Sequence, residues 1–216
     1  MKTVAIIGAG LCGLATAVFC IQNGLSVHLY DRKAIGSGAS GVAAGLLHSY
    51  SGAHAKKNRW ALEGMRETLE LVQLAQQYSI EPLYQQKGLY RLAFTSQQIE
   101  DYRKSALLYP DVEWIENIQT ILPHAPAVSA IYISRALAVY TLSYLRALWT
   151  FCKKNGAKFF VQHVEEPQLL QEDIVVLTCG DGLLTYKQLK TTPVKGQLIK
   201  LQWPDIDPLP CPISSK

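Results

Sequence analysis

"VAIIGAGLCGLATAVFCIQ", residues 4–22, carries no charged side chain, and how it is read decides the fold. Nineteen apolar-rich residues are enough to cross a bilayer as a helix. A lysine, Lys2, ahead of an apolar run is also what a secretory signal needs. The glycines argue against both readings. Gly8, Gly10 and Gly13 form a G-x-G-x-x-G array, and each should weaken a continuous helix by up to about 1 kcal/mol relative to alanine. Ahead of them "TVAII" is a β-branched run of strand length. Behind them Leu14, Ala17, Val18 and Ile21 recur at the i, i+3, i+4, i+7 spacing of a buried helix face. Asn23-Gly24 then makes a helix stop, and no small-x-small cleavage site followed by a polar sequence is evident.

The next strand decides the matter. "LSVHLYD", residues 25–31, ends in Asp31, eighteen residues past Gly13. Strand, glycines, helix, strand and acid together make the β-α-β dinucleotide fingerprint. The first glycine allows the tight turn, the second lets backbone approach a pyrophosphate, and the third lets helix and strand pack closely. The helix N-terminus offers free N–H groups and a positive dipole end to the phosphates. Asp31 is placed to accept hydrogen bonds from ribose hydroxyls.

The remaining composition is that of an ordinary globular chain. It has 216 residues, 49% hydrophobic and 18% charged, with a net charge of +4. No basic run interleaved with aromatics marks a nucleic-acid surface. The five cysteines (Cys12, Cys20, Cys152, Cys179 and Cys211) are odd in number and show no C-x-x-C spacing. They read as small apolar residues of a reducing, cytoplasmic protein, and no residue is assigned to a metal.

Residues 32–55 are rich in glycine, alanine and serine and directly follow the fingerprint, so they read as a loop approaching a ligand, with a short helix inside it. A helix is expected from about Lys56 to Tyr78, with Leu62, Met65, Leu69 and Val72 on one face. "GLYRLAFT" (88–95) alternates as a strand. A helix over 96–107 and strands near 111–116 and 129–134 follow. "TLSYLRALWTFCKKNG" (141–156) is amphipathic, with Leu142, Leu145, Trp149 and Cys152 facing inward and Asn155-Gly156 as its stop. Then come the strand "AKFFVQHV" and the apolar run "DIVVLTCGDG" (173–182), which suits the interior of a parallel sheet. The turn after it, at Thr178, Cys179 and Gly180, should lie beside the first glycine loop. A half-buried strand is expected over 194–203.

"IIGAGLCGLATA" with "VHLYDR", "IGSGASGVAAGLL", "VVLTCGDG" and "PVKGQLIKL" together resemble the FAD-dependent amine and amino-acid oxidoreductases of the D-amino-acid oxidase and glycine-sarcosine oxidase type. The resemblance runs through essentially the whole chain. It implies an α/β fold, a Rossmann-like FAD-binding domain with an inserted, incomplete antiparallel-sheet substrate domain. The implied boundaries are 1–80 and 141–190 for FAD binding, 81–140 for the insertion, and 191–216 for the start of further substrate-domain strands. It implies that Gly8, Ala9, Gly10 and Gly13 hold the FAD pyrophosphate and that Asp31 binds the ribose, with Arg32 close to the adenine. Asp31 is a departure, since glutamate is commoner there. Ala39 and Ser40 lie where the family's loop meets the phosphates, and Gly45, Leu46 and Leu47 where its backbone approaches the flavin ring. Val164 would contact adenine through its backbone. Thr178 and Gly180 replace the usual alanine-x-glycine at the strand end.

Each of these positions has a plainer reading. Ser40 would serve equally as a helix cap and Val164 as a core residue. His48 stands where it could tune or tether a flavin, or simply lie at the surface. His54, Lys56, Lys57 and Arg59 read as a solvated helix start or as contacts to an anionic substrate.

The implied activity is oxidation of the C–N bond of a small amine or amino acid, with hydride passing to the flavin. The resemblance assigns no catalytic residue within these 216 residues, since the family's substrate-carboxylate arginine lies further on. The chain therefore reads as the N-terminal part of such an enzyme, with a complementing C-terminal half as partner and no membrane. The alternatives are a catalytically inactive FAD-binding remnant and the oxidase module of a tRNA-modifying flavoprotein, towards which only the mild basic charge leans.

Overall fold

The computed structural model describes residues 1–185, 192, 194, 196–199 and 209–214. In chain order its elements are strand β1 (Thr3–Ile7), helix α1 (Leu11–Gln22), β2 (Ser26–Asp31), β3 (Leu46–Leu47), α2 (Ala61–Gln76), β4 (Tyr84–Gln85) and β5 (Leu89–Ala93). There follow α3 (Ser96–Leu108), β6 (Val112–Ile115), β7 (Ser129–Ile133), β8 (Leu137–Val139), α4 (Thr141–Lys154), β9 (Lys158–Val161), β10 (Ile174–Leu177) and β11 (Ile213–Ser214). By their contacts the residues form two units. One comprises Met1–Ala44, Leu71–Leu83 and Tyr140–Lys200, and the other Gly45–Glu70, Tyr84–Val139 and Leu201–Lys216.

The first unit is built on a parallel sheet of order β10-β1-β2-β9. Val4 stands opposite Val27 on one side and Ile174 on the other. Ala5 and Ile6 of β1 are fully buried, as the uncharged opening stretch requires. Helix α1 buries Leu14, Ala17 and Val18. It stops at Asn23, whose N–H returns to Phe19 and Cys20 carbonyls, and Gly24 follows at φ 73°. Helix α4 buries Tyr144, Leu145, Leu148, Phe151 and Cys152. Its inward face is thus rotated from the expected one, leaving Leu142 and Trp149 half-buried. Strand β10 stands at the edge of the sheet among the described residues rather than in its interior, with Ile174 and Leu177 exposed. Just before it, Glu172 accepts hydrogen bonds from Tyr30 Oη at 2.7 Å and, across a 2.6 Å contact, from His28 Nδ1. That carboxylate fastens the approach to β10 onto β2.

In the second unit β5, β7 and β6 pair antiparallel, while β11 adds to β5 in parallel. A smaller antiparallel sheet, β3-β8-β4, lies in the same unit. Helix α3 begins in a reciprocal capping box between Thr95 and Gln98 and lays Tyr102 and Ile99 against Leu89, Ile131 and Ile133. Helix α2 starts at Ala61 rather than near Lys56. Of its expected face Leu62 is exposed, Met65 and Leu69 are half-buried, and only Val72 is buried. Half of the expected strand over 194–203 lies outside the described residues; Leu198 and Ile199, which are described, are exposed and not in a strand.

Candidate cofactor site

The glycine loop between β1 and α1 is shaped by contacts that leave no room for side chains. Gly8 has φ 113°, a backbone conformation that favours glycine, and a Cβ there would sit 2.5 Å from the Thr178 carbonyl oxygen. A Cβ on Gly13 would lie 1.8 Å from the Gly8 carbonyl oxygen, so α1 rests directly on the loop. Gly10 is the N-cap of α1 and has no side chain with which to cap it. Apart from the Leu11 N–H, the first-turn amides have no side-chain cap, and the helix start carries the positive end of the dipole.

Ser40 meets that helix start. It lies in a short 3-10 turn, Ala39–Val42, and its Oγ accepts from the Leu11 N–H at 3.2 Å. A Cβ on Gly10 would come within 2.8 Å of the same oxygen. The capping reading of Ser40 thus holds, but the helix it caps is α1, at the mouth of the glycine loop.

Asp31, at the end of β2, is already engaged. Its Oδ2 accepts from the Ala9 N–H at 2.8 Å and its Oδ1 from the Lys33 N–H at 2.9 Å. A carboxylate oxygen has two lone pairs, so each retains one acceptor position. The threonine at the end of β10 has a structural use: Thr178 Oγ1 lies 3.0 Å from both the Ile7 and Gly8 carbonyl oxygens. It pins the turn that ends in Gly180 (φ 56°) to the glycine loop. Val164 is buried against Ala5, Ile7 and Tyr30, so its side chain is a core residue.

These residues surround a cleft of about 560 Å³ in the first unit. Gly8, Ala9, Gly10, Asp31, Arg32, Ala39, Ser40, Val164, Thr178 and Gly180 all line it. The sequence reading did not single out Gln162, His163, Asp181 and Gly182, which line it too. Gln162 and His163 directly precede Val164, and Asp181 and Gly182 complete the "GDG" turn, so adjacency was the available signal. Arg32 lies 3.8 Å from Asp181, both well exposed, a pairing of little energetic weight. Cys179 also lines the cleft; burial holds its thiol above the ordinary value and so protonated.

Gly45, Leu46 and Leu47 belong to the second unit. Leu46 pairs with Ala138 and Leu47 with Leu137, and the Gly45 carbonyl accepts from the Val139 N–H at 2.9 Å. His48 follows, its Nδ1 accepting from the Tyr50 N–H at 3.3 Å. The residues read as one basic cluster have separate engagements: His54 Nδ1 lies 2.6 Å from Asp101, and Arg59 lies over the Trp60 ring.

A family model described as FAD dependent oxidoreductase matches residues 3–215. The chain belongs to that family. Its cofactor is accordingly FAD. No curated protein matches the chain. Among solved structures, glycine oxidase from Geobacillus kaustophilus is similar at 21% identity and TM-score 0.71, over 84% of this chain and 56% of that one. Glycine oxidase from Bacillus cereus ATCC 14579 gives 21% and 0.70, over 86% and 58%. Iminodiacetate oxidase from Chelativorans sp. BNC1 gives 17% and 0.67, over 85% and 57%. At these identities the likeness is one of fold, and the chain spans a little over half the length of each structure. Among the described residues no helix is long and apolar enough to cross a membrane.

Proposed function

We propose that this FAD-dependent oxidoreductase acts on the C–N bond of a small amine or amino acid. The observation that carries the reading is the cleft at the α1 N-terminus. Its residues fit the dinucleotide: the floor at Gly8 and Gly10 is bare where a Cβ would collide, the helix start carries the positive end of the dipole, and Asp31 keeps acceptor capacity. In this reading Gly8, Ala9, Gly10 and Gly13 hold the pyrophosphate, helped by Ala39 and Ser40. Asp31 takes the ribose, Arg32 stands beside the adenine, and the Val164 backbone borders it. Thr178 and Gly180 close the far wall. Gly45, Leu46 and Leu47 serve the flavin ring through their backbone.

When bound, FAD supplies the acceptor for a hydride leaving the substrate α-carbon. The chain's own contribution is binding and orientation. Thr178 and Gly13 keep the glycine loop rigid, Ser40 orders the helix start, and Asp31 ties the loop to β2. The substrate class is supported by the glycine and iminodiacetate oxidases that share the fold. Residues 1–80 and 141–190 are proposed as the FAD-binding part, with 81–140 and 191–216 on the substrate side. Five cysteines without a disulfide suit a cytoplasmic setting. A complementing polypeptide is the partner this reading favours, and the exposed apolar residues on the β10 edge support it.

The test is anaerobic reduction of the FAD-loaded protein by glycine, sarcosine, iminodiacetate and a panel of amino acids. Bleaching of the flavin by at least one donor is expected when the complementing polypeptide is supplied, and none above background from the 216-residue chain alone. Bleaching by a reduced nicotinamide and by none of the amines would place the protein in another reaction class.

A further inference from the structure

We propose that Arg91 is a positioning residue: through the backbone of residues 50–52 it holds His48 in the tautomer whose Nε2–H is free to donate to a ligand lying against Leu46 and Leu47. The proposal rests on the reading of Gly45–Leu47 as flavin-ring contacts.

Arg91 lies on β5 with no exposed surface, and among the described residues no carboxylate pairs with it. Its Nη1 donates to the Tyr50 carbonyl at 2.5 Å and its Nη2 to the Gly52 carbonyl at 2.7 Å. Its Nε has no partner, and its flat face lies 5.3 Å from the Tyr102 ring centre. An unpaired buried cation is costly, and a lysine could not span two carbonyls with the same rigid fork. The result is a fixed loop immediately after β3.

Tyr50 is gripped at both ends of its peptide frame. Its carbonyl is held by Arg91, and its N–H donates to His48 Nδ1. A ring nitrogen that accepts cannot carry the proton, so the neutral imidazole has its hydrogen on Nε2. Burial and the positive charge of Arg91 both keep His48 below its ordinary value of 6.5. The other groups around the clamp are Tyr102 from α3 and the Tyr50 hydroxyl, which donates to Asp111, with Arg135 acting on the same ring. No described residue accepts from Nε2. His48 therefore offers its ligand a neutral N–H donor rather than a charge.

The experiment is heteronuclear NMR of the full chain labelled with ¹⁵N-histidine. His48 should show an unprotonated Nδ1 and a protonated Nε2, and should acquire its second proton at lower pH than the ordinary value of about 6.5. Arg91→Lys, checked for folding by circular dichroism, should let both tautomers appear. A wild-type His48 protonated on Nδ1, or one titrating at the ordinary value, overturns the proposal. So does an unchanged single tautomer in folded Arg91→Lys. Adding FAD should shift the Nε2 signal. If flavin fluorescence reports binding but Nε2 does not move, the donor role fails while the FAD reading stands. If FAD does not bind, that reading fails and the donor role with it, whatever the tautomer.

Discussion

At the scale of single residues, the cofactor loop is governed by distances too short for any side chain. Gly13 is the tightest case, because its missing Cβ would fall 1.8 Å from a backbone oxygen that cannot swing aside. Gly13→Ala should therefore lower stability by about 1–3 kcal/mol or more in urea unfolding, as overpacking does. An unchanged midpoint would mean that α1 does not rest on the loop as described. Thr178 makes a gentler test. Its hydroxyl bonds the Gly8 and Ile7 carbonyls. Thr178→Ala should cost about 0.5–1.5 kcal/mol while FAD affinity changes little. A large loss of FAD with unchanged stability would give Thr178 a direct cofactor contact instead.

At the scale of elements, the latch between β2 and the approach to β10 joins sheet and site. Burial works against ionising Glu172, but hydrogen bonds from Tyr30 and His28 hold its carboxyl below the ordinary 4.5. Burial and that same bond push the Tyr30 hydroxyl up to about 12. Because the folded value of Glu172 is the lower one, its contribution is present above pH 4.5 and is lost as pH falls through the folded value. Glu172→Gln should cost about 1–3 kcal/mol at neutral pH and flatten the decline of stability in acid. Equal acid slopes for both proteins in denaturant titrations would contradict the latch. The sequence made the strands and helices around the glycine loop legible because each is a single periodic run with its own stop signal. It did not reveal the latch, since Glu172 is far in the chain from His28 and Tyr30 and belongs to no motif. Arg91 was hidden for a related reason. In the alternation of "GLYRLAFT" it occupies a position that an exposed residue would fill equally well, and only the pairing of β5 with β7 and the cover of α3 bury it. The edge position of β10 among the described residues is not legible, because an apolar run looks the same at the edge of a parallel sheet as inside it. The cofactor cleft was largely legible, for the glycines, Asp31 and Ser40 carry their spacing in the sequence. Asp181 and His163 were not, because one turn residue and one residue beyond a strand have no periodicity to mark them.

At the scale of the molecule, the family match over residues 3–215 and the fold shared with glycine oxidases agree with the chemistry of the cleft. The central claim is that the bare glycine floor at the α1 N-terminus holds the FAD pyrophosphate. It is tested most directly by titrating FAD into the purified 216-residue chain, following quenching of flavin fluorescence, beside Gly10→Val and with NAD as competitor. The account predicts saturable FAD binding that NAD does not displace. Binding should be lost in Gly10→Val, whose branched side chain fills the floor beside Ser40, while circular dichroism shows the fold retained. FAD binding undiminished in folded Gly10→Val, or tighter binding of NAD than of FAD, would contradict it.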